Sequence, residues 1–349
     1  MISERELIRR IGRQAGGPPP SGEVGANGRQ GLPPFPVGSL LLRGIGDDCA
    51  VWRPAAGDLV TLISTDTLVE KVHFDLSWHP PGLLGRKAVA VNLSDIAAMG
   101  ATPRFVLLSL GLRGSEVPEW RDQLLNGFND AVEAAGTLLI GGDTIHNPAG
   151  LMLSVTVIGE APEGEVCYRQ GGRTGDSVWV GGALGLAAAG LHLCRRGLSG
   201  EERWREAVAA HLDPQAQIEL GRALASSGLV GAMMDLSDGL AGDLSQICEA
   251  GGVGAELILE ELPIPPLVVE AAELCRADPL SWAISGGEDY HLLFTSPGEN
   301  DQAIEELGAD IPGIDLHRVG QLTPRKGVIV RDGRGESRDV SNLSYDHFS

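Results

Sequence analysis

Long apolar runs are missing from this chain. No stretch reaches the roughly 18 residues that a membrane span needs, and the start, Met1-Ile2-Ser3-Glu4-Arg5-Glu6, carries both charge signs with no apolar segment behind it. No secretory signal is read there, and a cytoplasmic protein is the expectation. Paired cysteines are missing as well. Cys49, Cys167, Cys194, Cys248 and Cys275 are odd in number and far apart, with no CxxC pair. Neither a disulfide framework nor a thiolate zinc site follows, and the five read as small buried hydrophobes. Positive charge is scarce: 27 Lys and Arg against 47 Asp and Glu give a net charge of −20. Nucleic acid is a poor partner for such a chain, because phosphate backbones demand cations. Finally, there is no GxxxxGK[ST] loop, no His-Arg-Asp kinase loop, no GxSxG elbow and no HExxH pair.

What is abundant is glycine, 49 of 349 residues, about twice the usual 7% share and without a G-X-Y period. The glycines gather at turns after apolar runs. With 43% apolar residues the chain can bury a sizeable core, and its length suits two domains.

Residues 3–12 have the pattern of a short helix. A Gly- and Pro-rich stretch follows, at about 13–40, and reads as a flexible loop without a catalytic role. From residue 40 strands and helices alternate. Val60–Ser64 is a buried strand, a helix runs from about Leu83 to Met99 and stops at Gly100, and Arg104–Leu112 is a strand. A helix opened by Pro118 closes at Gly136, with strands at 138–140 and 151–158 after it. A break falls at Ala161-Pro162-Glu163-Gly164. Beyond it the pattern restarts, with strands near 177–181, 255–259, 290–295 and 316–321. Helices are expected near 183–195, 201–209, 214–226, 238–249, 266–275 and 299–307. The reading is two mixed α/β domains, 1–161 and 162–349.

Five segments share one design, an apolar strand or turn followed by Gly or Ser and then Asp or Glu. They are Gly44-Ile45-Gly46-Asp47-Asp48, Ser64-Thr65-Asp66-Thr67, Gly141-Gly142-Asp143-Thr144, Asp235-Leu236-Ser237-Asp238-Gly239 and Ser285-Gly286-Gly287-Glu288-Asp289. A sixth carboxylate, Asp95, falls on a predicted helix. Glycine lets backbone approach a ligand closely, and carboxylates are hard oxygen donors suited to Mg²⁺. Any one segment is more often a plain turn or helix N-cap. Six of them, expected at strand ends and helix starts where α/β folds collect ligands, point to a cluster that needs cations to offset its own repulsion. Divalent ions would also let so acidic a protein handle phosphates; solubility alone explains the charge equally well.

The ordered set goes further. Gly-Ile-Gly-Asp-Asp-Cys-Ala (44–50), Ser-Thr-Asp-Thr-Leu-Val (64–69), Ala-Val-Asn-Leu-Ser-Asp-Ile-Ala-Ala-Met-Gly-Ala (90–101), Gly-Gly-Asp-Thr (141–144), Asp-Leu-Ser-Asp-Gly-Leu (235–240), Ser-Gly-Gly-Glu-Asp-Tyr (285–290) and Tyr-Asp-His-Phe (345–348) closely resemble the thiamine-monophosphate kinase family, of the aminoimidazole-ribonucleotide synthetase-like superfamily. The resemblance covers about residues 40–349. It implies two α/β domains, the N-terminal ones pairing strands in a homodimer. It implies a reaction in which ATP and thiamine monophosphate give ADP and thiamine diphosphate. By motif position it implies metal ligands at Asp48, Ser64, Thr65, Asp66, Asp95, Asp143, Asp235 and Asp238, holding several Mg²⁺ ions. ATP contacts would be Gly142, Asp143, Arg169 and Ser237, and substrate contacts His73, Glu288 and Tyr345. The attacking phosphate oxygen is already anionic, so no dedicated base is expected.

Three departures stand out. The 13–40 stretch is longer than the family needs. His211–Gln217 lacks the arginines common in that region of relatives. Ser344 precedes Tyr345 where relatives commonly have Gly. Among alternatives, a selenophosphate synthetase should carry a reactive Cys in an early Gly-rich segment, yet none precedes Cys49. The hydrogenase-maturation relative should end in a cysteine tail, and this chain ends His347-Phe348-Ser349; the purine enzyme should prefer a formylglycinamidine substrate, and the Tyr-Asp-His-Phe tail favours the thiamine reading. A non-catalytic metal- or nucleotide-binding module would keep the aspartates and show no turnover.

Overall fold

A computed structural model describes residues 6–7, 41–54 and 57–345. Glu6 and Leu7 are helical; the rest of the predicted 3–12 helix, the 13–40 stretch and the tail from 346 onward lie outside the described residues.

The first half forms a six-stranded sheet in the order β1-β2-β3-β6-β4-β5. Its strands are β1 (Leu41–Arg43), β2 (Ala50–Trp52), β3 (Leu59–Val69), β4 (Thr102–Leu112), β5 (Leu138–His146) and β6 (Met152–Pro162). The centre is the antiparallel pairing of β3 with β6, from Leu59 opposite Pro162 to Val69 opposite Met152. On β6 the period-two alternation is clean: Leu153, Val155 and Val157 are buried, while Ser154, Thr156 and Ile158 are half-buried on the other face. Among the described residues this half has, beyond the helical Glu6 and Leu7, helices α1 (Pro81–Ala98) and α2 (Pro118–Ala134), each beginning on proline. They meet closely because glycines line the crossing. A Cβ on Gly85 would lie 2.1 Å from the Leu124 carbonyl oxygen, and one on Gly127 would lie 1.9 Å from that of Gly82.

The second half forms a seven-stranded sheet in the order β13-β12-β9-β11-β7-β10-β8. Its strands are β7 (Asp176–Val180), β8 (Ala232–Asp235), β9 (Gly254–Ile258), β10 (Leu292–Pro297), β11 (His317–Thr323), β12 (Gly327–Arg331) and β13 (Ser337–Asp339). Seven helices accompany it among the described residues: α3 (Leu186–Arg195), α4 (Arg205–Leu212), α5 (Ile218–Ser227), α6 (Leu240–Gly251), α7 (Pro266–Cys275), α8 (Pro279–Ser285) and α9 (Asp301–Ala309). The predicted two mixed α/β sheets are therefore present. Residues 214–217 precede α5 without being helical, so the helix begins four residues later than expected.

Helix α1 joins the two halves. It is buried almost all round, with Leu84, Val89, Val91, Leu93 and Ile96 in the first core, while Ala97 and Ala98 pack into a cluster with Leu220 and Leu224 of α5. A Cβ on Gly221 would stand 2.1 Å from the Ala97 carbonyl oxygen. An all-round buried helix has little amphipathic pattern, and it carries whatever polar residues it holds into the interface between halves. Those residues are Arg86, Lys87, Asn92, Ser94 and Asp95. Four of the five cysteines are buried and none is in a disulfide. No helix among the described residues is long and apolar enough to cross a membrane.

Candidate active site

Three placements differ from the sequence expectation. The Ser64-Thr65-Asp66 segment does not end a strand: β3 continues to Val69, so the three lie mid-strand opposite Val157, Thr156 and Val155. Asp143 is likewise within β5 and not at its end. The predicted helix start at Asp238 moves to Leu240, which leaves Asp238 in the turn after β8.

These elements meet around a cavity of ≈ 670 Å³ lined by Asp48, Ser64, Thr65, Asp66, His73, Asp95, Arg169, Asp235, Ser237, Asp238, Glu288 and Tyr345. All the predicted residues converge there except Gly142 and Asp143. Those two sit on the edge strand β5, where Asp143 is exposed and accepts a hydrogen bond from the Thr144 N–H at 2.8 Å.

The floor of the cavity is acidic. One carboxylate oxygen each from Asp48, Asp95 and Asp235 lie within 4.8 Å of one another. The turn through Gly46, at φ 116°, carries Asp47 and Asp48 inward. Asp95 comes from α1 and Asp235 from the end of β8. Burial, then the charges of Asp66, Asp235 and Asp48, holds the Asp95 carboxyl well above the usual carboxylate range. Burial and Asp48 push Asp235 up to about 7, against a hydrogen bond from Ser94 Oγ at 2.6 Å. Asp66 opens onto the cavity, and desolvation, then Asp238 and Asp48, pushes it up to about 6. Ser64 Oγ donates to Asp95 and the Asp66 N–H donates to Asn92 Oδ1 at 2.9 Å. One cation is already committed: Arg169 holds Asp48 through Nη2 at 2.6 Å and Nε at 3.3 Å, and donates from Nη1 to Gln246 at 2.6 Å. The crowded carboxylates raise one another's proton affinity, the electrostatic condition of a polyvalent cation site.

The opposite wall is built by two segments running side by side. Glu288 N–H donates to the Ser237 carbonyl at 2.8 Å, and Tyr290 N–H to that of Leu236 at 2.8 Å. Gly287 is required there, since its φ is 68° and a Cβ would lie 2.7 Å from the Ser237 carbonyl oxygen. Glu288 and Tyr290 are themselves left-handed, at φ 61° and 51°, a strain that folds retain mainly around ligands. The Glu288 carboxylate receives Lys87 Nζ at 3.0 Å, and His211 Nδ1 stands 2.9 Å from its other oxygen. Burial alone would raise the Glu288 carboxyl; Lys87 and His211 outweigh it and hold the group well below the usual range. His73 Nδ1 accepts from the Val69 N–H at 3.0 Å. Tyr345 N–H donates to the Asp238 carbonyl at 3.3 Å, and the residue is 48% exposed at the rim.

Sequence patterns did not point to several lining residues: Lys71, Trp78, Arg195 and His211, together with Lys87 behind the wall; Asp47 stood in a recognised motif without being given a role. Lys87 carried one weak signal: with Arg86 it is one of two adjacent cations at the start of the largely apolar stretch Leu83–Ile96. In the His211–Gln217 stretch, Asp213 pairs with Arg86 at 2.8 Å, and Gln217 bonds the Gly181 carbonyl and the Leu292 N–H. Asp213 and Gln217 thus find their partners within the chain.

The chain matches two family models, AIR synthase related protein, N-terminal domain, over residues 46–161 and AIR synthase related protein, C-terminal domain, over residues 173–333. It is 34% identical to the thiamine-monophosphate kinase of Bacillus subtilis (strain 168) over 312 residues, covering 87% of this chain and 93% of that one. It is 38% identical to that of Salmonella typhimurium over 314 residues, covering 88% and 92%. Among solved structures, AaThiL complexed with AMPPCP and TMP superimposes with a TM-score of 0.80 at 30% identity, covering 99% of this chain and 97% of that one.

Proposed function

The chain belongs to the thiamine-monophosphate kinase family of AIR synthase related proteins, and on that premise we propose how its cavity performs the family's reaction. The protein is an ATP-dependent kinase that converts thiamine monophosphate to thiamine diphosphate, with ATP as co-substrate. The observation that carries the site assignment is the meeting of an acidic floor and a Glu288 wall in one cavity.

The donor set fits magnesium. Three carboxylate oxygens within 4.8 Å are hard ligands with crowded negative charge. Asp48, Asp95 and Asp235 would hold the ions, joined by Ser64, Thr65, Asp66 and Asp238. Bound Mg²⁺ would supply charge neutralisation for the nucleotide and acceptor phosphates. The chain's own residues orient the reactants. Arg169 and Ser237 face the ATP phosphates, while His73, Glu288 and Tyr345 hold the thiamine end. An oxygen of the substrate phosphate attacks the γ-phosphorus, the bond to the β-phosphate oxygen breaks, and ADP leaves. The attacking oxygen carries charge already, so alignment and neutralisation suffice without a general base.

Gly142 and Asp143 join the site on this reading through a second copy. They lie on a sheet edge that is unpaired among the described residues and also exposes Leu138, Ile140 and Ile145, and apolar edges of this kind are normally covered. Pairing of β5 edges in a homodimer would cover them. The end of β6 at Pro162 supports a domain boundary near residue 162. An ATP-consuming enzyme with unpaired cysteines suits the cytoplasm.

The test is direct. The protein is incubated with Mg²⁺, ATP and thiamine monophosphate, and thiamine diphosphate is measured by chromatography. Stoichiometric thiamine diphosphate and ADP are expected. Binding of ATP without product would leave a binding module, and product from free thiamine would assign a different kinase.

A further inference from the structure

The buried polar cluster behind the cavity wall is not explained by phosphoryl transfer. Lys87 is wholly buried in α1, in the first half of the chain, and its ammonium reaches Glu288 at 3.0 Å and the His211 carbonyl at 2.9 Å, both in the second half. His211, 1% exposed at the end of α4, is part of the cavity wall. An unpaired buried Lys or Glu is costly, so the two fix each other across the interface.

The chemistry of the contact decides the state of the histidine. Nδ1 stands 2.9 Å from a Glu288 oxygen without pointing squarely at it; a carboxylate can only accept, so repulsion between two lone pairs at that distance is avoided by placing the proton on Nδ1. Burial, then the neighbouring Lys87 ammonium, lowers the ring's proton affinity below that of an ordinary histidine, which keeps it neutral. Nε2 is then a bare lone pair. Both ring nitrogens are buried and neither makes a well-directed hydrogen bond among the described residues, but Nδ1 has the Glu288 oxygen 2.9 Å away whereas Nε2 faces no such partner. A buried acceptor in a ligand wall is satisfied by a ligand donor. Thiamine monophosphate offers one neutral N–H donor group, the 4′-amino group of its aminopyrimidine.

We propose that Lys87, Glu288 and His211 form a device that reads the aminopyrimidine of the substrate, with His211 Nε2 accepting a hydrogen bond from the 4′-amino group. Lys87 and Glu288 are positioning residues in this respect: they set the tautomer and the tilt of the ring. This rests on the kinase reading above and adds a specificity determinant to it.

The probe is oxythiamine monophosphate, which places a carbonyl oxygen where the amino group donates. The wild type should prefer thiamine monophosphate by roughly tenfold to hundredfold in kcat/KM, the range for leaving one buried acceptor facing another. In His211→Phe the KM for thiamine monophosphate should rise about tenfold with the KM for ATP unchanged, and the preference over the oxy analogue should collapse to about twofold. Lys87→Met should erode the same preference. Equal use of the two substrates by the wild type overturns the proposal even if neither substituted protein folds. So does a folded His211→Phe that retains the preference. A wild type that makes no thiamine diphosphate removes the kinase reading itself, a result recognisable because neither substrate then reacts.

Discussion

Replacing Asp235 with asparagine should make the metal-free protein more stable at neutral and alkaline pH while crippling its response to magnesium. Asp235 is 3% exposed, and burial followed by repulsion from Asp48 moves its carboxyl from 3.8 to about 7. At about 1.4 kcal/mol for each tenfold change in proton affinity, this is ~4 kcal/mol between the protonation states. The folded value exceeds the unfolded one, so the native state binds the proton more tightly. The wild type therefore keeps its full stability below about pH 4 and loses it progressively as pH rises through about 7. Asparagine keeps an oxygen that can accept from Ser94 and removes the charge. Relaxation and counter-ions reduce the gain, and about 2–3 kcal/mol is expected at about pH 8, with little difference near pH 4. Urea unfolding in EDTA at the two pH values measures it. Adding Mg²⁺ should then stabilise the wild type much more than Asp235→Asn, because only binding to the native state contributes. If Asp235→Asn proved less stable than the wild type in EDTA at the higher pH, the claim that this carboxylate is held against its own electrostatics would be refuted.

Other consequences are equally measurable. Asp66→Asn should lower kcat by at least about a hundredfold with an unchanged far-ultraviolet circular dichroism spectrum, since it removes charge at the cavity and not packing. Normal turnover would remove Asp66 from the ligand set. His73→Ala should raise the KM for thiamine monophosphate roughly tenfold and leave that for ATP alone; equal effects on both would count against a substrate contact. Gly127→Ala places a Cβ 1.9 Å from the Gly82 carbonyl oxygen and should cost about 2–4 kcal/mol by forcing α1 and α2 apart. Unchanged thermal stability there would show that the crossing is not tight.

The sequence carried the site's vocabulary better than its geometry. Helices α1 and α2 were legible because proline opens each and glycine follows each closely, at Gly100 and Gly136. The central strands were legible from apolar runs. The short β1 and β2 were not, because three residues hold no period. Nor was α8, whose seven residues are set by the Asp278 cap and Pro279. Ser64-Thr65-Asp66 looked like a strand end because polar residues usually mark one. In the fold β3 runs on through them, since β6 supplies backbone partners as far as Met152. Lys87 and His211 show the deeper limit. An ion pair between α1 and the 286–290 loop spans 201 residues of sequence, and no local pattern signals which buried lysine will find a carboxylate that far away. Asp143 shows the converse: its motif is plain in the sequence, while among the described residues it lies on an edge strand away from the cavity.

The central claim is that the mutually repelling carboxylates are the metal site of the kinase. Manganese binding followed by electron paramagnetic resonance, with a non-hydrolysable ATP analogue present, tests this most directly. The wild type should bind Mn²⁺ tightly, and Asp48→Asn and Asp235→Asn should each lose bound ions while still folding. The same Mn²⁺ stoichiometry and affinity in both substituted proteins as in the wild type would contradict it.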